Sequence, residues 1–146
     1  MYYCFSADVR ILRKLIVMEI AQYNYLMNGY SIENTSELNL FFRNYTSIPI
    51  EIKGLINLSE LSVTGSITGG IPVWIGDMTS LTHLTISGSE GEIPPEIGNL
   101  TNLTHLVFTG SGLSGEIPPE IGNLVNLSKL ILSNNQLSGK IPTEIG

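Results

Sequence analysis

The chain has few of the features that would fix a fold covalently or anchor it in a membrane. Its 146 residues include one cysteine, Cys4, so no disulfide can form within the chain. No stretch reaches the roughly 18 uninterrupted apolar residues that a membrane-spanning helix requires. The sequence therefore predicts a chain that does not cross a bilayer by itself. Its stability must come from packing, for which an apolar fraction of 42% is sufficient.

Basic residues are also scarce. Lysine and arginine together number 7 against 13 acidic residues, which gives a formal net charge of −6. From residue 58 onward, only Lys129 and Lys140 are basic. Because nucleic-acid binding depends on clustered positive charge, this composition argues against a nucleic-acid partner.

The sequence also lacks the short motifs of catalysis. It has no P-loop, no HExxH zinc motif, no CxxC pair and no kinase catalytic loop. The stretch GSGLSG at residues 110–115 fits G-x-G-x-x-G, but no helical pattern follows it, as a dinucleotide site would require. The sequence therefore predicts a protein without enzymatic activity and without a cofactor.

The N-terminal segment 1–34 stands apart and allows two interpretations. In the first, an amphipathic helix begins after Ser6, ends at Asn28-Gly29 and caps the open end of a core. Its apolar residues recur at helical spacing: Val9, Leu12, Leu15, Ile16, Ile20, Tyr23 and Met27. In the second, the basic residues from Arg10 to Lys14 begin a secretion signal, although Glu19 interrupts the apolar stretch. We expect residues 1–34 to form a helical cap region.

The remainder of the chain is repetitive. GEIPPEIGNL occurs at residues 91–100 and again at 115–124. Units begin at Leu58, Leu81, Leu103 and Leu127, so they follow one another at a nearly constant spacing. A fainter unit precedes them, so residues 35–146 contain about five units, the first degenerate and the last incomplete. A pattern Leu-x-x-Leu-x-Leu that recurs with a period in the twenties is the signature of leucine-rich repeats.

One unit predicts the path of all of them. In the unit that begins at Leu103, Leu106 and Phe108 alternate with Val107, which predicts a short strand with the first two inward and Val107 outward. Pro119 and Glu120 then favour a brief 3₁₀ or extended turn before the next strand. Because one coil cannot cover its own faces, the units have to stack as a solenoid. The predicted fold class is a leucine-rich repeat solenoid with a parallel β-sheet on the concave side and 3₁₀ or extended turns on the convex side.

The pattern LxxLxLxxNxLxGxIPxxIGxL resembles the plant-type leucine-rich repeats in the ectodomains of receptor-like kinases, receptor-like proteins and polygalacturonase inhibitors. The segment 127–146 matches it nearly residue for residue. The resemblance implies a right-handed superhelix, a second small sheet, and recognition of peptides or proteins without catalysis. It also favours an extracellular or cell-surface location, although the sequence has no clear signal peptide. The chain keeps the family asparagine at Asn135 and departs from it at Ser66, Ser89 and Ser111, and at Arg43 in the fainter unit.

The outward positions of the predicted sheet suggest a ligand-binding site. Most of them are Ser, Thr or Gly, but one column combines charged and imidazole side chains: Glu60, His83, His105 and Lys129. A partner-binding strip, ordinary exposed residues and a metal site with two histidines are three interpretations of this column. We predict the first, with a protein or peptide as the ligand and no metal. On the convex side, Trp74 takes the place that glutamates hold in other units, and it is the next candidate contact.

Three further expectations concern processing, association and role. Glycosylation sequons occur at Asn34, Asn44, Asn57, Asn99, Asn102 and Asn126, as in a glycoprotein. The sequence Asn-Leu-Ser/Thr is, however, also part of the repeat pattern. The leucines of the last unit have no polar capping unit after them, which predicts self-association through this edge or a fragment of a longer array, such as a receptor kinase. The alternative function is an intracellular or structural repeat scaffold without enzymatic activity.

Overall fold

The structure is a computed structural model that describes residues 36–48, 50–110 and 112–145. The expected helical cap, Cys4 and the sequon at Asn34 lie outside the described residues. Every described unit begins with a strand and passes through a short 3₁₀ turn. The strands are β1 (Glu37–Tyr45), β2 (Glu60–Ile67), β3 (His83–Glu92), β4 (His105–Thr109), β5 (Gly112–Ser114) and β6 (Lys129–Ile131). The 3₁₀ turns are Ile50–Gly54, Val73–Asp77, Pro95–Asn99, Pro119–Asn123 and Thr143–Ile145.

The main sheet is parallel and has the order β1-β2-β3-β4-β6. Each strand pairs with the equivalent residues of the next unit, as in Leu61 opposite Leu84 and Leu84 opposite Leu106. Equal positions of successive repeats therefore form straight columns across the sheet. The predicted leucine-rich repeat solenoid with a parallel sheet is confirmed.

The alternation within each strand separates core from surface. Leu106 and Phe108 have no exposed surface, whereas Val107 and Thr109 between and beyond them are half-buried. The expected orientation of Leu106 and Val107 is therefore confirmed. Since the side chains of a strand alternate between its two faces, the columns that lack the leucines face away from the core.

The convex side consists of brief 3₁₀ turns, which decides between the two conformations that the sequence allowed. Pro95 and Pro119 begin two of these turns, where proline loses no helical hydrogen bond. Ile97 and Ile121 point from the turns into the core. At Gly98, an added Cβ would overlap the backbone of Glu120 in the next coil, so glycine allows adjacent coils to stack closely.

The implied second sheet is also present. Strand β5 pairs in parallel with the end of β3, from Glu90 opposite Gly112 to Glu92 opposite Ser114. An isolated bridge between Glu116 and Ser138 continues the same pairing into the next unit. This second line of hydrogen bonds joins the units along a side of the coil that the main sheet does not reach.

Side-chain amides add further bonds between units. Asn102 Nδ2 donates to the Thr79 carbonyl at 2.8 Å, and Asn126 Nδ2 donates to the Thr101 carbonyl at 2.8 Å. Asn135 Nδ2 donates to the carbonyl of Phe108 at 2.9 Å. Two sequon asparagines thus hold neighbouring units together, and glycosylation of this chain stays a prediction.

The last unit is less covered than those before it. Leu130, Leu132 and Leu137 are only partly buried against the core, and Ile141 is 76% exposed. The equivalent residues of inner units, such as Leu106 and Leu113, have no exposed surface. Self-association through this edge stays a prediction.

Candidate functional site

The four residues of the expected ligand site form one column. Glu60 is the register partner of His83, His83 of His105, and His105 of Lys129, so the column crosses β2, β3, β4 and β6. Glu37 pairs with Glu60 and extends the column to β1. Sequence reasoning missed Glu37 because the first unit lacks its leading leucine. The match between Glu37-Leu38-x-Leu40 and Glu60-Leu61-x-Val63 could have revealed it.

The two histidines of the column lie face to face. Their ring centroids are 4.4 Å apart and the ring planes differ by 18°. Each ring contacts the hydroxyl of the residue before it: Thr82 Oγ1 lies 2.9 Å from His83 Nδ1, and Thr104 Oγ1 lies 3.0 Å from His105 Nδ1. Stacking and these contacts together fix the orientation of both imidazoles.

The threonine hydroxyls belong to a ladder that runs across the sheet. Thr82 Oγ1 donates to the Ser59 carbonyl at 3.0 Å, and Thr104 Oγ1 donates to the Thr82 carbonyl at 2.9 Å. Ser59 and Ser128 make the same bond in their own units, although no histidine follows them. The ladder is thus a feature of the repeat, and each histidine contacts a threonine oxygen that the ladder holds in place.

The charges of the column are open to solvent. Glu60 Oε1 lies 3.9 Å from His83 Nδ1, and the two side chains are 50% and 43% exposed. This distance is too long for a hydrogen bond, and an ion pair at such exposure contributes little to stability. These groups are therefore available to a ligand and are not needed to hold the fold together.

Hydroxyl groups border the column on β2 and β3. The next outward row contains Ser62 and Thr85, and the row after it contains Thr64, Ser87 and Thr109. In the row of Ser62 and Thr85, the later units have the apolar residues Val107 and Ile131 at the equivalent positions. The surface beside the column is therefore polar over β2 and β3 and more apolar over β4 and β6.

The histidine pair is poorly placed for a shared metal ion. In parallel stacked rings the nitrogen lone pairs lie in the ring planes and do not converge on one point. Within residues 36–48, 50–110 and 112–145, no three His, Cys, Asp or Glu side chains are grouped so that they could hold an ion.

On the convex side, Trp74 is half-buried and packs against the core. Glutamates take its place in the following units: Glu96 and Glu120 are followed two residues later by glycine, and the backbone of each lies against the glycine of the unit before. Their positions thus follow from the stacking of the coils.

Comparison with known proteins agrees with this architecture. The family model described as Leucine Rich Repeat matches residues 102–124 and 126–146. Among solved structures, the ectodomain of BIR2 from Arabidopsis thaliana is similar, with 29% identity, a TM-score of 0.63 and coverage of 72% of this chain and 54% of that one. The ectodomain of the Arabidopsis receptor kinase HAESA, in complex with a peptide hormone, shares 38% identity with a TM-score of 0.69 over 77% of this chain and 20% of its own. The chain has the leucine-rich repeat fold and is similar to plant leucine-rich repeat ectodomains.

One similar structure is named for a different function. A plant ice-binding protein shares 32% identity with this chain, with a TM-score of 0.67 over 77% of this chain and 38% of its own.

This chain spans only part of the length of its relatives, namely 54% of the BIR2 ectodomain and 60% of the chain matched in a complex of BIR3 and SERK2. No curated protein sequence matches it. Among the residues that the structure describes, no helix is long and apolar enough to span a membrane.

Proposed function

We propose that this leucine-rich repeat chain recognises a peptide or protein, without catalysis, and that the ligand lies on the concave sheet across the column of Glu37, Glu60, His83, His105 and Lys129. The observation that carries the proposal is the register of this column. Five side chains that are acidic, basic or imidazole stand side by side on consecutive strands, although the core needs none of them.

The resemblance to peptide-receptor ectodomains supports this proposal. HAESA was solved with a peptide hormone, and the plant receptor RGFR1 was solved in complex with RGF2. Along a sheet, the column extends over four strand spacings of about 4.8 Å, or about 19 Å in all. An extended peptide of about six residues covers this length.

Selection from a random peptide display library against the purified chain tests the proposal. Selected peptides should bind the original chain and lose affinity for a variant with His83→Ala and His105→Ala. The control is Val125→Ser, on an exposed side chain outside the sheet. Peptides that depend on Val125 or Trp74 and ignore the histidines would contradict the concave site, and a failure to select any peptide would favour the scaffold function.

The same double variant should leave the fold nearly intact. Each histidine is half-buried and contributes one hydrogen bond to a threonine, so we expect a loss of about 0.5 to 1 kcal/mol of unfolding free energy per site. Urea denaturation followed by circular dichroism measures this loss. A much larger loss would mean that weakened binding reports unfolding and does not locate the ligand.

Ice is a second candidate ligand, favoured by the rows of hydroxyls beside the column. Ser62, Thr64, Thr85 and Ser87 form a regular array whose spacing is set by the sheet. Such an array is suited to ordering water, and one similar structure is an ice-binding protein. An assay of ice recrystallisation tests this function. Inhibition by the original chain that disappears in a Thr85→Lys variant supports it. Growth of ice crystals equal to that in buffer alone argues against it.

A further inference from the structure

The hydrogen-bond ladder favours a proton on Nδ1 of each histidine. Thr82 Oγ1 lies 3.0 Å from the Ser59 carbonyl, which also accepts the backbone N–H groups of Thr82 and His83, and a carbonyl oxygen has no hydrogen to give. The threonine hydroxyl therefore donates to the carbonyl. For the same reason, Thr104 Oγ1 donates to the Thr82 carbonyl at 2.9 Å.

Because each threonine hydroxyl donates to a carbonyl, its contact with the ring favours the histidine as the donor. His83 Nδ1–H donates to Thr82 Oγ1, and His105 Nδ1–H donates to Thr104 Oγ1. The Glu60 carboxylate, 3.9 Å from His83 Nδ1, favours a proton on the same nitrogen. In the neutral state, Nε2 of both rings is left as an acceptor at the outer end of the imidazole.

The column thus offers acceptors over four strands. Glu37 and Glu60 contribute carboxylates, and His83 and His105 contribute Nε2 lone pairs whose directions are nearly parallel, since the rings are stacked. Only Lys129, at the β6 end, is a donor. A ligand group that faces β1 to β4 therefore has to bring hydrogen-bond donors, and positive charge suits the two carboxylates.

We infer that the concave column selects a basic peptide segment, with guanidinium or ammonium groups over β1 to β4, and that Thr82 and Thr104 are positioning residues that hold the two histidines as acceptors. This inference rests on the proposed function, because it assigns the chemistry of the ligand at the same face. It also predicts whether peptide affinity rises or falls with pH.

Acidification should weaken such binding. When His83 and His105 gain a proton, Nε2 becomes a donor and the pair becomes positive, so both hydrogen bonding and charge oppose a basic ligand. The other charged groups that face the pair are Glu37 and Glu60 on one side and Lys129 on the other. An acidic ligand would show the opposite trend, with tighter binding at low pH.

The first experiment tests the tautomer without any ligand. Long-range ¹H–¹⁵N correlation NMR of the whole chain at about pH 8 should show Nδ1 protonated and Nε2 bare for both residues. Thr82→Val with Thr104→Val should replace this pattern by a mixture of tautomers. Ser59→Ala with Ser128→Ala is the matched control, because it removes the same ladder bonds where no histidine follows. Protonation at Nε2 in the original chain would overturn the inference.

The second experiment uses two capped hexapeptides, one of alternating glycine and arginine and one of alternating glycine and glutamate. The arginine peptide should bind more tightly, and its affinity should fall about tenfold between about pH 8 and pH 5, the value of one charged hydrogen bond. The variant with His83→Gln and His105→Gln keeps polar groups without titrating, so it should lose this pH dependence. Stronger binding of the glutamate peptide, or arginine binding that is indifferent to pH, would overturn the inference.

Failure of the proposed function would look different. The NMR signals of the histidines should shift when the arginine peptide is added. If the histidines have the expected tautomer but only convex residues such as Glu96 respond, the concave ligand site is wrong, and with it the assignment of a basic ligand to this column.

Discussion

Leu106→Asp should remove most of the stability of the chain, with an expected loss of about 4 kcal/mol or more of unfolding free energy. Leu106 has no exposed surface and lies on β4, with Leu84 and Leu130 as its register partners. A carboxylate there finds no cation and leaves the space of a leucine partly empty. Since small domains are stable by only about 5 to 15 kcal/mol, this loss is a large share of the total and should lower the melting temperature well below that of the original chain.

Val107→Asp is the matched control, because it adds the same charge one residue along the same strand. Val107 is half-buried and faces away from the core, so we expect a change below about 1 kcal/mol. Thermal unfolding of both variants by circular dichroism gives the comparison. Similar losses at the two positions would contradict the alternation of β4 and the register of the whole sheet.

The fold could be predicted because the same short pattern recurs with nearly constant length. The even spacing of Leu58, Leu81, Leu103 and Leu127 leaves room for one strand and one short turn per unit. Stacking is then the only arrangement that buries the leucines. The conformation of the convex turns could not be predicted, because Pro119 is compatible with both a 3₁₀ turn and an extended segment.

The column could be predicted for the same reason, since equal positions in equal repeats come into register. Its chemistry could not. Thr82 and Thr104 look like ordinary members of a position that Ser59 and Ser128 also occupy, and only the distances show that their hydrogens are used. The sequence alone would equally allow the two histidines to carry positive charge and to bind an acidic group of the ligand. The hydrogen-bond ladder instead favours neutral acceptors and a basic ligand.

Gly88→Ala should be the most damaging small substitution, with an expected loss of about 2 to 4 kcal/mol. Gly88 has a φ of 83°, in the left-handed region that disfavours other residues. A Cβ at this position would also overlap the carbonyl of Gly65 in the unit before, and a backbone atom cannot rotate away as a side chain can. The neighbouring strands would have to separate at the irregularity in the pairing of β2 and β3, between Thr64 and Ile67.

Gly110 provides the control that separates strain from overlap. It is the equivalent residue one unit later, has a φ of 59°, and has no atom beyond its chain neighbours within 4 Å of the position of an added Cβ. One unit further, Asn134 has the same φ of 59°, so the repeat accepts asparagine at this place. Gly110→Asn should therefore cost less than about 1 kcal/mol, and Gly88→Asn should cost several times more. Equal melting temperatures for the two asparagine variants would show that the backbone conformation alone, and not the close approach of β2 and β3, explains the glycine at position 88.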